Sequence, residues 1–214
     1  MDNHFFTVSS QKNSKIIVQV SAGHFATNSA HRTHYIDIFD LMSSASVARQ
    51  AARELAVPYL TNTLVDAIVY MDNTEILAAY MADELLQAGM SVMNVGSEIL
   101  LLTPMLSADG HFIFHQNVRE KIKNRNVVLM VASLSTGATA DRMLECLSYY
   151  GCKLVGISAI FSVYPEASGK KIHSLFDCAD IPDYHFYTPA ECRMCQEGIK
   201  IDAIINSQGY TKLN

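Results

Sequence analysis

The fold is indicated most clearly by the sequence Val127-Val128-Leu129-Met130-Val131-Ala132-Ser133-Leu134-Ser135-Thr136-Gly137-Ala138-Thr139. Its apolar first part predicts a buried strand, which passes through a turn of small hydroxyl residues and glycine into a helix. Backbone N–H groups, hydroxyls and a positive helix N-terminus suit the oxygens of a phosphate monoester. A plain helix cap is the alternative, since Ser, Thr and Gly are common at caps. The stretch therefore predicts a phosphate-binding turn over residues 135–139.

Composition and charge exclude several classes of protein. The chain has 214 residues, of which 17% are charged, and its net charge is -5. Such a chain offers no broad basic face for a nucleic-acid backbone. No run approaches the roughly 18 apolar residues that span a bilayer, and the chain does not start with a secretory leader pattern. We expect a cytoplasmic protein without nucleic-acid or membrane partners.

Apolar periodicity predicts two successive β-α-β units. The first has a strand over 65–71, a helix that Thr74 caps and Gly89 ends, and a strand over 91–95. The second has a strand over 127–132, a helix over 137–150 and a strand over 153–161. Two such units favour an α/β fold with an open, mainly parallel, doubly wound sheet. In such sheets ligands bind at the carboxyl ends of the strands, where residues 135–139 lie.

The remaining segments complete the predicted organisation. A helix over 43–56 precedes the first unit, and a short hairpin around Pro104 and Asp109-Gly110, followed by a helix over 117–123, separates the two units. We expect one structural domain in three parts. These are an N-terminal cap or hood over residues 1–42, an α/β core over 43–187 and a C-terminal tail over 188–214.

Three separated segments resemble the type I phosphoribosyltransferase family, and within it the orotate phosphoribosyltransferases. Residues 23–37 are similar to the family's N-terminal segment of Gly, His, Phe, then Ser, then Tyr. Residues 65–85 are placed like its pyrophosphate-binding strand, loop and helix. Residues 127–139 are similar to its phosphoribosyl-pyrophosphate signature of four apolar residues, two acids and a Thr-Thr-Gly-x-Thr-like turn. The resemblance implies the type I phosphoribosyltransferase fold.

The same resemblance implies a role for each turn residue. The residues expected to wrap the 5-phosphate of a ribose phosphate are Ser135, Thr136, Gly137, Ala138 and Thr139. The family's two acids, which bind the ribose hydroxyls, are matched here by Val131 and Ala132. Neither side chain can accept a hydrogen bond or hold a hydrated metal ion. These two positions are a degenerate acid pair.

The pyrophosphate side of the implied site also departs from the family pattern. The residues that match the pyrophosphate loop are Asp72, Asn73, Thr74 and Glu75, without the family's glycine. Their two acids would repel a pyrophosphate unless a metal intervened. The segment between 102 and 118, which matches the family's lid, offers His111 and His115 in place of lysine and arginine. We expect transition-state stabilisation by the lid to be weak.

The resemblance predicts function only in outline. It implies a phosphoribosyltransferase of nucleotide metabolism that binds phosphoribosyl pyrophosphate, ribose phosphate or a nucleotide, with Mg²⁺ held mostly by the ligand's own oxygens, and that forms a homodimer. Phe161 and Ser162 match the family's orotate-contacting acid and arginine, so we expect weak or absent activity with orotate. The alternative is a non-catalytic regulatory homologue that binds a nucleotide or phosphosugar. Whether the chain is an enzyme is left open, and its catalytic residues are unassigned.

Cysteine and histidine spacing leaves a metal site open. Five cysteines without a secretory signal favour reduced thiols. Cys192 and Cys195 have the spacing of half a structural Zn²⁺ site, and Cys178 and His185 are the nearest candidates for the other half. Packed or surface thiols are the alternative. The three histidines near the N-terminus are expected to pack or to line a substrate pocket, namely His24, His31 and His34.

Overall fold

The computed structural model describes residues 5–87, 93–135, 137–206 and 209–213. The strands are β1 (Phe5–Ser9), β2 (Ile17–Ala26), β3 (His31–Asp37), β4 (Ala67–Tyr70), β5 (Leu100–Leu102), β6 (Met105–Leu106), β7 (Phe112–Ile113), β8 (Asn126–Leu134), β9 (Lys153–Ser162), β10 (Glu166–Ala167), β11 (Lys170–Asp177), β12 (Phe186–Tyr187), β13 (Ala203–Asn206) and β14 (Gly209–Lys212). The helices are α1 (Phe39–Ser43), α2 (Ala45–Ala56), α3 (Glu75–Gln87), α4 (Gln116–Ile122), α5 (Ala138–Tyr149) and α6 (Arg193–Gln196).

A mainly parallel sheet, the core sheet, organises the middle of the chain. Its strand order is β10-β11-β9-β8-β4-β5, and all pairs are parallel except the antiparallel edge strand β10. Helices α2 and α3 cover one face, and α4 and α5 cover the other. This arrangement confirms the predicted doubly wound α/β fold.

Strand β8 lies between β4 and β9, and residues 127–132 of it are all buried. Because successive side chains of a strand point to opposite faces, the apolar run contributes side chains to the hydrophobic cores on both faces of the sheet. Val127, Leu129 and Val131 pack with α4 and α5. The other three side chains pack with α2 and α3, namely Val128, Met130 and Ala132. The run is continuous because neither face of this strand meets water.

A second sheet, the terminal sheet, joins the two ends of the chain. Its order is β12-β3-β2-β13-β14, and β1 also pairs with β2. Ala203 and Ile204 of β13 pair in parallel with Phe25 and Ala26 of β2, and the other pairs are antiparallel. The tail therefore extends the N-terminal hairpin β2–β3 by two strands.

Most element predictions are confirmed within a few residues. The helices over 43–56, 117–123 and 137–150 correspond to α2, α4 and α5, and β6 and β7 form the predicted hairpin. None of the helices in the described ranges is long and apolar enough to cross a membrane.

The predicted strand over 91–95 is wrong where the structure describes it. Residues 93–96 form a turn, and β5 replaces the expected strand. The buried Asn94 accounts for this, because its side chain accepts the Val65 N–H at 2.9 Å and donates to the Thr63 carbonyl at 2.9 Å. A side chain that bonds the backbone in this way favours a turn over a strand. Gly89, the predicted helix end, lies outside the described residues.

Candidate functional site

The turn after β8 leads into the N-terminus of helix α5. Ser135 follows the strand and is buried, and Gly137 has φ 75°, a left-handed conformation that strains residues with a Cβ. The Asp141 N–H donates to the Gly137 carbonyl at 2.8 Å, which starts α5. The free N–H groups and dipole of this twelve-residue helix are therefore at the turn. Thr139 is in the first turn of α5, whereas Thr136 lies outside the described residues.

Arg32 brings a positive charge to this turn from the terminal sheet. Its Nη2 donates to the Ser135 hydroxyl at 2.8 Å, although the two residues are 103 positions apart. The Arg32 Nε and the Tyr184 hydroxyl are both buried, and the two side chains interact with each other. Burial raises the pKa of Tyr184 to about 12, and the Arg32 charge opposes that rise. No sequence motif predicts a role for Arg32.

The two positions matched to the family's acid pair are buried in the apolar core. Val131 is 1% exposed and Ala132 is 7% exposed, and they pack on opposite faces of β8. A carboxylate at either side chain would have to leave water for an apolar core, which is costly without a partner. The side chains at these two positions therefore belong to the hydrophobic core.

The loop after β4 makes a tight turn without glycine. Asp72 has φ 55° and Asn73 has φ 62°, and the Thr74 N–H closes the turn on the Met71 carbonyl at 3.1 Å. Two successive left-handed residues are the pattern of a type I′ turn, which Asp and Asn tolerate better than other residues with a Cβ. The Met71 N–H in turn donates to the Met130 carbonyl at 3.0 Å. This hydrogen bond joins the start of the loop to strand β8.

This turn places a carboxyl group beside the degenerate acid pair. Burial raises the pKa of Asp72, and a hydrogen bond from the Ala132 backbone N–H offsets part of that rise. The Asp72 carboxyl group therefore lies next to Ala132, one of the two positions at which the family signature has an acid. Glu75 is exposed at the start of α3, while Thr74 is buried and donates from its hydroxyl to the Met71 carbonyl at 2.7 Å.

The predicted lid is a small hairpin against α5. Its turn is closed by a bond from the Ser107 N–H to the His111 carbonyl at 2.8 Å. Arg142 of α5 donates to the Gly110 carbonyl at 3.3 Å, and its guanidinium lies 5.8 Å from the centre of the Phe112 ring. His115 precedes α4, and its carbonyl accepts the Val118 N–H at 2.9 Å.

The positions matched to base recognition are buried. Phe161 and Ser162 are each 1% exposed. The Phe161 ring packs 4.9 Å from that of Tyr184, and the Ser162 hydroxyl donates to the Tyr164 carbonyl at 2.7 Å. Both side chains are thus used within the fold.

A candidate metal-binding cluster lies at the junction of the terminal sheet and the tail. The cluster consists of His24, His31, Cys192 and Cys195, whose ligand atoms all lie within 4.8 Å of one another. Among the described residues it excludes Cys178 and His185, so the sequence-based choice of the second ligand pair is wrong. Sequence proximity misled that choice, because strand pairing of the tail with β2 brings in more distant histidines. Burial and the neighbouring His24 lower the pKa of His31, which favours its neutral form.

Comparison with known proteins relates the chain to others by fold. No protein-family model and no curated protein sequence matches it. Leishmania donovani UMP synthase is similar in structure with a TM-score of 0.53 and 22% identity, over 75% of this chain and 34% of that one. An adenine phosphoribosyltransferase from Thermoanaerobacter pseudethanolicus has a TM-score of 0.51 and 14% identity, over 67% of this chain and 88% of that one. The adenine phosphoribosyltransferase from Rhodothermus marinus has a TM-score of 0.50 and 13% identity, over 81% of this chain and 93% of that one.

These similarities show the fold and nothing finer. The core sheet and its helices have the type I phosphoribosyltransferase fold, as the sequence predicted. The chain spans about a third of the length of the UMP synthase but most of the length of the two adenine phosphoribosyltransferases.

Proposed function

We propose that the protein binds the ribose 5-phosphate part of phosphoribosyl pyrophosphate or of a nucleotide at residues 135–139. The single observation that carries this proposal is the contact of Arg32 with Ser135 beside the left-handed Gly137. A cation, a hydroxyl and the N-terminus of α5 meet at the end of a central parallel strand. That combination suits a dianion, and the end of a parallel strand is where ligands bind in α/β sheets.

Arg32 supports a phosphate rather than a neutral ligand. Hydrogen bonds to charged groups contribute about 1.5–3 kcal/mol, more than bonds between neutral groups. A guanidinium has five N–H donors, and the contact with Ser135 uses Nη2, so Arg32 retains further donors for an anion. We therefore assign the terminal sheet the role of a hood that holds Arg32 over the turn.

On the ribose side, we propose that Asp72 partly replaces the missing acid pair. Its carboxyl group lies against Ala132 and can accept hydrogen bonds from ribose hydroxyls. Val131 and Ala132 supply no oxygen from their side chains, so they do not fit the family's Mg²⁺ contacts. A Mg²⁺ ion would be held mainly by the ligand's oxygens, with Asp72 as the nearby carboxylate.

If the protein is catalytic, the reaction is transfer of the ribose phosphate to a nitrogen base. The bond from C1 to the pyrophosphate oxygen breaks, a bond from C1 to the base nitrogen forms, and pyrophosphate leaves. Phosphoribosyl pyrophosphate and nucleotides remain the proposed partners, and a homodimer remains a prediction. The hairpin β6–β7 supplies His111 rather than lysine, so we expect slow turnover.

Two measurements test the proposal. Isothermal titration calorimetry with ribose 5-phosphate and phosphoribosyl pyrophosphate should show binding to the wild-type chain and weakened binding to Ser135→Ala and Gly137→Ala. Pyrophosphate release with a panel of bases then measures transfer. Ligand binding together with pyrophosphate release supports an enzyme. Ligand binding without pyrophosphate release supports the non-catalytic regulatory homologue. If neither ligand binds, the phosphate site is refuted.

A further inference from the structure

The cluster of two histidines and two cysteines has the dimensions of a tetrahedral metal site. His24 Nε2 lies 3.0 Å from His31 Nδ1, 3.5 Å from Cys192 Sγ and 3.7 Å from Cys195 Sγ. Cys195 Sγ lies 3.3 Å from His31 Nδ1. Tetrahedral zinc with ordinary bond lengths separates two nitrogens by about 3.3 Å and a nitrogen from a sulfur by about 3.6 Å. The four atoms thus surround a volume that fits one Zn²⁺ ion.

Hydrogen bonding alone does not account for this convergence. The Ile199 carbonyl lies 2.9 Å from His24 Nδ1, and because a carbonyl only accepts, Nδ1 carries the proton. His24 Nε2 then has a single lone pair, yet three heteroatoms approach it. A cation on that lone pair satisfies all of them. A bond from the other ring nitrogen to a backbone carbonyl is also the usual support of a metal-binding histidine.

The two histidines come from neighbouring strands of one hairpin. Ala26 pairs with His31, and His24 is two residues before Ala26, so both imidazoles are on the same face of the sheet. The register shifts between Ala22 and Phe25, which is a bulge at His24. Bulges commonly re-aim a side chain toward a site.

The two cysteines come from the start of the tail. Cys192 precedes α6, and the Gln196 N–H donates to the Cys192 carbonyl at 3.1 Å, which folds the Cys-x-x-Cys segment into one turn. Cys192 is fully buried, and His24 and His31 are buried beside it, while Cys195 is exposed. Buried polar groups of this kind require partners, and a metal ion supplies one.

We propose that His24, His31, Cys192 and Cys195 bind one structural Zn²⁺ ion that fastens the C-terminal tail to the β2–β3 hairpin. Two nitrogen and two sulfur ligands in tetrahedral geometry select zinc over magnesium or calcium. Four protein ligands complete the coordination, which makes the site structural rather than catalytic. This proposal does not rest on phosphate binding at residues 135–139, and it stands if that turn binds no ligand.

Hydrogen bonds next to the cluster also join the C-terminal tail to the β2–β3 hairpin. The Asp202 N–H donates to the His24 carbonyl at 2.8 Å, and the His24 N–H donates to Asp202 Oδ2 at 2.7 Å. Gly23 permits this approach, since a Cβ there would lie 2.8 Å from Asp202 Oδ2. Zinc would add the binding free energy that holds the tail in this register.

The test is metal analysis of the full chain purified from zinc-supplemented medium. We expect about one zinc per chain in the wild type and in Cys178→Ser, a cysteine outside the cluster, and loss of zinc in the double variant Cys192→Ser, Cys195→Ser. His31→Cys should retain zinc, because a thiolate replaces the imidazole, whereas His31→Ala should lose it.

A spectroscopic measurement keeps the test decisive if the double variant does not fold. Wild-type protein is stripped with a chelator and titrated with Co²⁺, whose tetrahedral sites with thiolate ligands have intense visible bands and thiolate charge-transfer bands. The expected result is both sets of bands at one Co²⁺ per chain, abolished by added Zn²⁺. Zinc-free wild-type protein, or Co²⁺ bound without these bands, would overturn the assignment.

Discussion

Arg32 of β3 donates a hydrogen bond to the Ser135 hydroxyl at 2.8 Å and so connects the terminal sheet to the turn after β8. Arg32 belongs to the terminal sheet, whereas Ser135 directly follows strand β8 of the core sheet, and Arg32 is the residue after His31 of the metal cluster. The proposed phosphate site and the proposed zinc site therefore share the strand β3.

Replacing Arg32 should weaken phosphate binding. Arg32→Gln removes the charge while keeping a side chain of similar reach, and the loss of charge-assisted hydrogen bonds of about 1.5–3 kcal/mol should raise the Kd for ribose 5-phosphate about tenfold or more. Calorimetry at fixed salt measures the change. Arg49→Gln is the control, since Arg49 is exposed on α2 and lies over the Tyr80 ring. Equal Kd values for both variants would remove Arg32 from the site.

Gly137 and Gly169 form a matched pair of substitutions. Their φ angles are 75° and 69°, so alanine should cost each variant roughly 1 kcal/mol of unfolding free energy. Only Gly137→Ala should also weaken ribose 5-phosphate binding, because Gly137 is in the proposed turn and Gly169 joins β10 to β11. Urea denaturation and calorimetry measure the two effects. If both variants bind like the wild type, the turn does not hold the phosphate.

Asp72→Asn should make the protein more stable at neutral pH. The pKa of Asp72 is raised in the fold, so its ionised form is disfavoured there and it lowers stability above that pKa. The gain from asparagine should shrink as the pH falls toward the ordinary carboxyl value of about 3.9. Asparagine also tolerates the φ of 55° at this position.

Urea denaturation of Asp72→Asn and wild type between pH 7 and pH 4.5 gives the required comparison. Asp109→Asn, at an exposed position in the hairpin turn, is the control for a general change of charge. A stability difference that does not vary with pH for Asp72→Asn would contradict the assigned cause. The same variant should bind ribose 5-phosphate more weakly, since an amide oxygen is a weaker acceptor for the ribose hydroxyls than a charged carboxylate.

Packing around Gly156 gives a prediction for the fold alone. The Tyr59 ring lies directly over Gly156, and the Tyr59 hydroxyl is 3.0 Å from the Ser158 hydroxyl. Gly156→Ala should lower the free energy of unfolding by about 1–3 kcal/mol, because the buried ring must shift. In a Tyr59→Leu background the same substitution should cost less. An equal cost in both backgrounds would show that Tyr59 is not the obstacle.

Zinc removal should affect the phosphate site through β3. Chelation should lower the Tm and raise the Kd for ribose 5-phosphate, because His31 no longer holds the strand that positions Arg32. Restored zinc should reverse both changes. In Arg32→Gln, chelation should lower the Tm but leave the already weak Kd unchanged. If chelation weakens binding equally in that variant, zinc does not act through Arg32.

The core sheet was predictable because its signals are local. The unbroken apolar run of β8 and the glycine before α5 can be read within fifteen residues, and both are where the pattern indicated. The strand expected over 91–95 failed because Asn94 satisfies backbone groups of residues 63 and 65, a contact that apolar periodicity does not register. Side-chain bonds of this kind override propensity.

The site was only partly predictable because its partners are distant in sequence. Arg32 and Ser135 are 103 residues apart, and His24 and Cys192 are 168 apart. Contacts between residues so far apart in sequence cannot be inferred from the spacing of residues within a motif. The carboxyl of Asp72 next to Ala132 likewise depends on the pairing of β4 with β8. Strand pairing, rather than motif spacing, brings these groups together.

A crystal structure of the full chain soaked with ribose 5-phosphate would show whether the turn after β8 binds phosphate. We predict phosphate density at the turn over residues 135–139, with oxygens within hydrogen-bond distance of the backbone N–H groups at the start of α5 and of the Arg32 guanidinium. Asp72 should lie near the ribose hydroxyls. A turn free of ligand in crystals soaked at saturating concentration, or phosphate bound only elsewhere, would contradict the account.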